Sequence, residues 1–208
     1  IPLDTIINRV NTNPYIPYHW GKAQDGMQAK EELVGAVKDF ALKEWLWLRD
    51  RAVESARTFE TLGLHKQVAN RALEPWMYID TIITSTEWTN FFELRDHPDA
   101  QPEMQALAKA IREVIETAVP QELEHGEWHL PYVERGEVLM DGVEAALMYS
   151  TARCARVSYH LHDGTKANPV ADIKLYNKLV SSRPLHASPA EHQALYSKEY
   201  PRALGYHR

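Results

Sequence analysis

The sequence predicts a predominantly helical α+β chain. Apolar residues recur at spacings of three and four over several long segments, which is the pattern of one buried helix face. Only the segment 76–95 is rich in aromatic and β-branched residues, so the strand signal is thin. The 208 residues, 44% hydrophobic and 25% charged, have a globular composition. Their number predicts a single domain over 1–208.

The N-terminal part predicts an irregular lead-in followed by helices. Residues 1–27 hold three prolines and two glycines with few periodic apolar positions. A long helix follows, with its apolar stripe from Leu33 to Phe59 and a stop at Gly63. A second helix is expected from Leu64 to Leu73, and Pro75 ends it.

The middle of the chain predicts two more helices. Ile79 to Thr86 reads as extended, and Trp88 to Leu94 as helical. A clearer helix is expected from Asp99 to Thr117, with Pro102 in its first turn.

The C-terminal part alternates loops and helices. Residues 120–136 predict a loop, and Gly142 to Val157 a helix. After a loop over 160–168, Asn168-Pro169 provides the cap and first residue of a helix through about Val180. The tail 181–208 is expected to be irregular.

Composition excludes several classes of protein. A net charge of −6, from 23 basic and 29 acidic residues, argues against a broad grip on duplex nucleic acid. No stretch approaches the roughly 18 apolar residues that a membrane span needs. The single cysteine, Cys154, rules out an intramolecular disulfide, so we expect a cytoplasmic protein with no membrane partner.

Cys154 itself has two interpretations. It could be a nucleophile if a base or a positive charge lowered its pKa. Because it adjoins the apolar stripe of its predicted helix, a small buried hydrophobic residue is the favoured interpretation.

Other catalytic and metal motifs carry little weight. His160, His162 and Asp163 could present a metal site, but no HExxH motif or cysteine joins them, so a polar loop is favoured and no metal is predicted. The chain has no GxSxG, P-loop or GxGxxG pattern. Serine hydrolysis, nucleotide hydrolysis and Rossmann-type binding therefore lose support.

Three segments are more polar than a helical core requires. They are 65–75, where basic and amide residues crowd a helix that ends at a proline, 86–103, and the heptapeptide 186–192, HASPAEH. Taken singly, each has an ordinary explanation. These are a solvated helix face, a core helix with an arginine at its C-terminal end, and a capped helix start.

Taken together, these segments resemble the flavin-dependent thymidylate synthases. HASPAEH is similar to the family's H-x-[ST]-P-F-E-H element, with Ala190 in place of the usual Phe. The family's A-R-x-x-L-P, N-F-x-x-L-R, A-Q-x-E-[IM] and A-R-V-x-Y elements have similar counterparts. These are NRALEP at 70–75, NFFELR at 90–95, AQPEM at 100–104 and ARVSY at 155–159.

The resemblance implies a fold, a reaction and a set of roles. The fold is a small central antiparallel sheet flanked by helices, and the reaction is methylation of dUMP with methylenetetrahydrofolate as carbon donor and NADPH-reduced FAD as hydride source. Arg95 matches the catalytic arginine that polarises the uracil, and Arg71 matches a second substrate-binding arginine. The resemblance also implies that four positions bind the cofactor: Asn90, His186, Ser188 and Glu191.

Two departures from the family pattern change what is expected. The hallmark R-H-R-x-x-S-x-N-E-x-S-x-R is absent, and the elements come in the rearranged order of phage-like members. This leads us to expect a missing N-terminal segment upstream of Ile1 and, for a phage protein, the host cytoplasm. Thr84-Ser85-Thr86 stands where the family has N-A-R, so those contacts are not carried over.

The family forms homotetramers with shared active sites, so the same assembly is expected here. Two alternatives stay open. One is a relative that acts on another pyrimidine nucleotide, as in phage base modification. The other is a non-catalytic helical binding or assembly protein that has kept the scaffold.

Overall fold

The computed structural model describes residues 1–25, 29–157 and 168–198. Within them the chain is mostly helical, with one small antiparallel sheet. The helices are α1 Leu3–Thr12, α2 Gly35–Thr61, α3 Lys66–Ala69, α4 Thr89–Arg95, α5 Pro102–Thr117, α6 Arg135–Asp141, α7 Val143–Ala155 and α8 Pro169–Ser181. Short 3-10 helices span Asn70–Trp76 and Ser188–Ala190. The fold is therefore α+β.

The sheet pairs two short strands. β1, Trp128–His129, runs antiparallel to β2, Ala194–Leu195, with Trp128 opposite Leu195. β1 lies inside the predicted loop 120–136 and β2 inside the predicted irregular tail, so both expectations were wrong at these positions. Two-residue strands leave no alternating pattern to detect, and partners this far apart in sequence are brought together only by folding.

The chain forms two compact units. The first combines Ile1–Ile79 with Thr89–Ala118, and the second combines Asp80–Trp88 with Val119–Arg208. The single-domain expectation over 1–208 stays a prediction. None of the described helices is long and apolar enough to cross a bilayer.

Helix α1 corrects the expected irregular lead-in. Leu3, Ile6, Ile7 and Val10 are buried, and their spacing of three and four places them on one face of the helix. The prolines and glycines further along 1–27 hid this stripe, although Pro2 only precedes the first turn, where proline is tolerated.

Helix α1 forms the core of the first unit together with α2 and the 3-10 helix. Trp45 of α2 donates its indole N–H to the carbonyl of Tyr15 at 2.9 Å, and Trp76 donates its own to the carbonyl of Trp45 at 3.2 Å. The rings of Trp45 and Trp76 lie 5.4 Å apart. Each indole thus packs its apolar body while its one donor is satisfied.

The remaining predicted helices are confirmed with shifts at their ends. The stripe from Leu33 belongs to α2, and those expected from Trp88, Asp99, Gly142 and Pro169 correspond to α4, α5, α7 and α8. The helix expected over 64–73 is instead a single α-helical turn that tightens into the 3-10 helix Asn70–Trp76. Pro75 lies inside that helix, and its missing N–H and its ring oppose a regular α-helix there. No described residue of the segment expected to be extended, 79–86, belongs to a strand.

Helix α7 is the central helix of the second unit. It packs against α6, α8 and the 3-10 helix Ser188–Ala190. Its last two turns are buried on nearly every side, from Tyr149 to Cys154. The position of the 186–192 segment therefore depends on its packing against α7.

Candidate functional site

Arg95 is the last residue of α4, at the end of the segment NFFELR. Its side chain is exposed, and among the described residues it has no ion pair and no side-chain hydrogen bond. Asn90, one turn earlier, is also exposed and without a described partner. Both side chains are therefore available to a ligand.

The end of α4 is held by Arg112 of α5. Its guanidinium lies 4.6 Å from the ring centroid of Phe92, and its Nε is 2.9 Å from a carboxylate oxygen of Asp96. A stacked, ion-paired guanidinium fixes both the ring and the residue that follows Arg95. Arg95 thus projects from a backbone that neighbouring side chains hold in place.

Arg71 lies in the 3-10 helix, and its side chain is 72% exposed. One guanidinium nitrogen is 3.8 Å from a carboxylate oxygen of Glu74, an exposed pair at three residues' spacing. Such a pair contributes little and is readily exchanged for a stronger anion such as phosphate.

Glu103, in the AQPEM segment, has a structural role. Its Oε1 accepts the Tyr15 hydroxyl at 2.7 Å and the Tyr18 amide at 3.1 Å. Burial and then this carboxylate raise the pKa of Tyr15 to about 12. Although burial alone would raise the pKa of Glu103, the hydrogen bond from Tyr15 and backbone amides lower it. Glu103 therefore ties residues 15–18 to α5 as an ionised acceptor.

The 186–192 segment belongs to the second unit and presents three exposed side chains. His186, Ser188 and Glu191 have no described side-chain partner. Ser188 begins a 3-10 helix, and the carbonyls of Ala187 and Ser188 accept backbone N–H groups that close this turn. The segment therefore offers a hydroxyl, an imidazole and a carboxylate on an ordered turn.

A buried ion network in α7 was missed by the sequence interpretation. Arg153 donates from Nε to Asp172 at 2.9 Å and from Nη2 to Glu137 at 2.6 Å, and its Nη1 reaches the Tyr132 carbonyl at 2.7 Å. Arg156, in the ARVSY element, pairs with the other oxygen of Asp172, which is fully buried. The hydrogen bond from Arg153 lowers the pKa of Glu137, although burial opposes the shift.

The sequence did contain a signal for this network. Arg153 is the one cation of a helix made mostly of apolar and small residues, and an arginine is almost never fully buried without a partner. The partner's identity could not be read from the sequence, because Asp172 lies in the first turn of α8, where an acidic residue is ordinary.

The structure confirms that Cys154 is a small buried residue, as the sequence predicts. It is 6% exposed, and burial raises the pKa of its thiol. A nucleophilic thiol needs the opposite shift.

The described residues contain no group of three or more histidine, cysteine or acidic side chains that could hold a metal ion. His160, His162 and Asp163 lie outside the described residues, as do the last two residues of the ARVSY element.

The predicted site residues fall into two sets. Arg71, Asn90 and Arg95 belong to the first unit, while the three exposed residues of 186–192 belong to the second. Every member of both sets is exposed, which suits residues that contact a ligand rather than pack a core.

Comparison with known families places these residues in context. The model of the family described as thymidylate synthase complementing protein matches residues 10–121. This range is more than half of the chain and contains the NRALEP, NFFELR and AQPEM segments. The chain belongs to this family, the flavin-dependent thymidylate synthase family, and the resemblance seen in its motifs is confirmed. No curated protein and no solved structure matches the chain.

Proposed function

We propose that the protein is a flavin-dependent thymidylate synthase that methylates dUMP to dTMP, with methylenetetrahydrofolate as carbon donor and NADPH-reduced FAD as hydride source. The observation that carries this proposal is the exposed Arg95, which has no described partner and lies within the matched family range. Its neighbours hold the backbone on both sides, so the guanidinium is free to bind while its base stays fixed.

Arg95 acts on the pyrimidine ring. Uracil C5 becomes nucleophilic as negative charge builds on N3 and O4. A guanidinium placed there stabilises that charge without needing to lose a proton, because arginine stays protonated at any physiological pH. Arg71 binds the nucleotide phosphate through its forked donors, replacing its weak contact with Glu74.

The polar side chains of the 186–192 segment match the hydrogen-bonding groups of a flavin cofactor. Ser188 can donate or accept, His186 can donate to a phosphate or carbonyl oxygen, and Glu191 can accept from a ribityl or ribose hydroxyl. The side-chain amide of Asn90 can likewise both donate and accept. When bound, FAD supplies the hydride, so no protein thiol is needed, and the buried Cys154 agrees with this.

We also propose a homotetramer with active sites shared between subunits. Support comes from α2, on which large apolar side chains are exposed: Val37, Phe40, Trp47 and Leu48. A surface helix with such a stripe is typical of an interface with another protein surface.

The role of Arg95 in turnover can be tested by removing its side chain. Arg95→Ala should lower the turnover of dUMP by about 100-fold or more, because a donor to developing charge is removed. Its circular dichroism and melting temperature should stay near those of the wild type, since the side chain is exposed.

Arg135→Ala is the matched control, because it removes an exposed arginine whose ion pair with Glu127 has an N–O distance of 3.8 Å. Its turnover should be unchanged. Full activity in Arg95→Ala would refute the role of Arg95. If the wild-type protein retains no FAD after gel filtration, the proposal of a flavin-dependent enzyme is refuted. If dCMP raises the melting temperature more than dUMP does, the substrate is another pyrimidine nucleotide and the assignment of dUMP is wrong.

A further inference from the structure

Most side chains of the 186–192 segment are exposed to solvent. Ala187, Ser188, Ala190 and Glu191 are all exposed, and Ala190 stands where the family pattern has a phenylalanine. A large apolar side chain at that position could anchor the turn by burial, which an exposed methyl group cannot do. Besides the packing of its 3-10 helix on α7, hydrogen bonds at its two ends therefore hold its geometry.

Gln193, the residue directly after this segment, makes two of these hydrogen bonds with its side chain. Its side-chain amide nitrogen donates to the carbonyl of Leu147 at 2.8 Å and to the hydroxyl of Thr151 at 2.9 Å. Both acceptors lie on α7, the buried helix that Arg153 fixes to α6 and α8. The amide of Gln193 thus links the exposed turn to the helix with the most buried residues in the second unit.

The two oxygen atoms on α7 that face Gln193 both need a hydrogen-bond donor. Thr151 already donates its hydroxyl proton to the Leu147 carbonyl at 2.9 Å. Both oxygens facing Gln193 are therefore acceptors, and only an NH₂ group satisfies both at once. A carboxylate at position 193 would face two oxygen lone pairs.

Two further hydrogen bonds hold the segment. The His186 amide donates to the carbonyl of Leu179 on α8 at 3.5 Å, and His192 Nδ1 lies 2.9 Å from the Thr84 hydroxyl in the 80–88 segment. Thr84 stands where the family pattern has N-A-R. Gln193 and Thr84 thus hold the end of the segment nearest Glu191.

We infer that Gln193 is a positioning residue for cofactor binding: by tying the 186–192 turn to α7, it presents Ser188 and Glu191 in the geometry that the flavin needs. This inference rests on the proposed function. It assigns no ligand contact to Gln193, which acts through the turn that it holds.

The experiment compares isosteric variants in the full chain. Gln193→Glu should weaken FAD affinity, measured by flavin fluorescence quenching, about 10-fold or more. Thr151→Val should have a similar effect, whereas Thr151→Ser keeps the hydroxyl and should restore affinity to near the wild-type value. Gln121→Glu is the matched control, because it makes the same charge change at an exposed side chain with no described partner, and it should bind FAD like the wild type.

Hydrogen–deuterium exchange separates this inference from the proposed function. Amides of 186–192 should exchange faster in Gln193→Glu and Thr151→Val, with or without FAD, while those of α8 stay as in the wild type. Wild-type exchange and wild-type FAD affinity in Gln193→Glu would overturn the inference. If the wild type does not bind FAD, the proposed function and the flavin role of Gln193 both fall, whereas the exchange data still decide whether Gln193 holds the turn.

Discussion

At the scale of single residues, the buried arginines at the end of α7 and the exposed Arg95 have opposite environments. In the second unit, Arg153 and Arg156 are largely buried and neutralised by Asp172 and Glu137. In the first unit, Arg95 is exposed and has no partner among the described residues. A buried arginine must be paired, because an isolated buried charge is costly, whereas an exposed arginine without a strong partner keeps its charge available to an anion.

The buried network predicts a large loss of stability when its central carboxylate is removed. Asp172→Asn leaves Arg153 and Arg156 facing a neutral amide, so the free energy of unfolding should fall by about 3–5 kcal/mol in urea denaturation. Glu54→Gln is the control, since its ion pair with Arg51 is 60% and 64% exposed. It should change stability by about 0.5 kcal/mol or less. Equal losses in both variants would contradict a dominant role for the network.

At the scale of secondary-structure elements, caps and breakers account for where helices begin and end. Asn168 accepts the Ala171 amide and Pro169 starts α8, as their order in the sequence predicts. In α6, Glu134 and Glu137 form a reciprocal capping box. Glu137 thus caps one helix while it also binds Arg153 of the next, which joins local and tertiary structure in one side chain.

The lead-in segment supplies a prediction about glycine. Gly21 forms a β-bridge with Glu32, and a Cβ added there would collide with the Cβ of Ala29. Gly21→Ala should therefore lower the free energy of unfolding by about 1–3 kcal/mol.

Gly136 offers the matched control because it lies inside α6 and a Cβ there meets nothing within 4 Å. Gly136→Ala should raise stability by up to about 1 kcal/mol, because alanine favours the helix. The melting temperature should therefore fall in Gly21→Ala and rise in Gly136→Ala. A higher melting temperature in Gly21→Ala would show that the backbone around the Gly21–Glu32 bridge can shift to accommodate the added Cβ.

At the scale of the whole molecule, the exposed stripe of α2 predicts self-association. Trp47 of this stripe is 56% exposed and lies near the middle of α2. Trp47→Glu would place a charge in the interface, so light scattering after gel filtration should show a shift from the tetramer to smaller species.

Lys43→Gln makes the same change in net charge on the same helix, at an exposed position with no described partner. It should leave the assembly unchanged. A wild-type protein that is monomeric at every concentration would refute the proposed tetramer. An unchanged tetramer in Trp47→Glu would show that the interface does not include this part of α2.

The sequence by itself determined the helical character of the chain, most helix positions and the family. These depend on local patterns, namely apolar periodicity, the Asn168-Pro169 start and the NRALEP, NFFELR and AQPEM motifs. It missed α1 because a clear stripe of four buried residues was outweighed by the prolines and glycines around it.

Tertiary structure alone decided which polar residues build the fold and which face solvent. Glu103 lies in a family motif and serves as an acceptor for Tyr15, while Gln193 belongs to no motif and ties the 186–192 turn to α7. The strand pairing of Trp128 with Leu195 was likewise invisible along the chain. The physical reason is the same in each case: whether a donor or acceptor is satisfied depends on partners that are distant in sequence, and only the folded chain brings them within hydrogen-bonding distance.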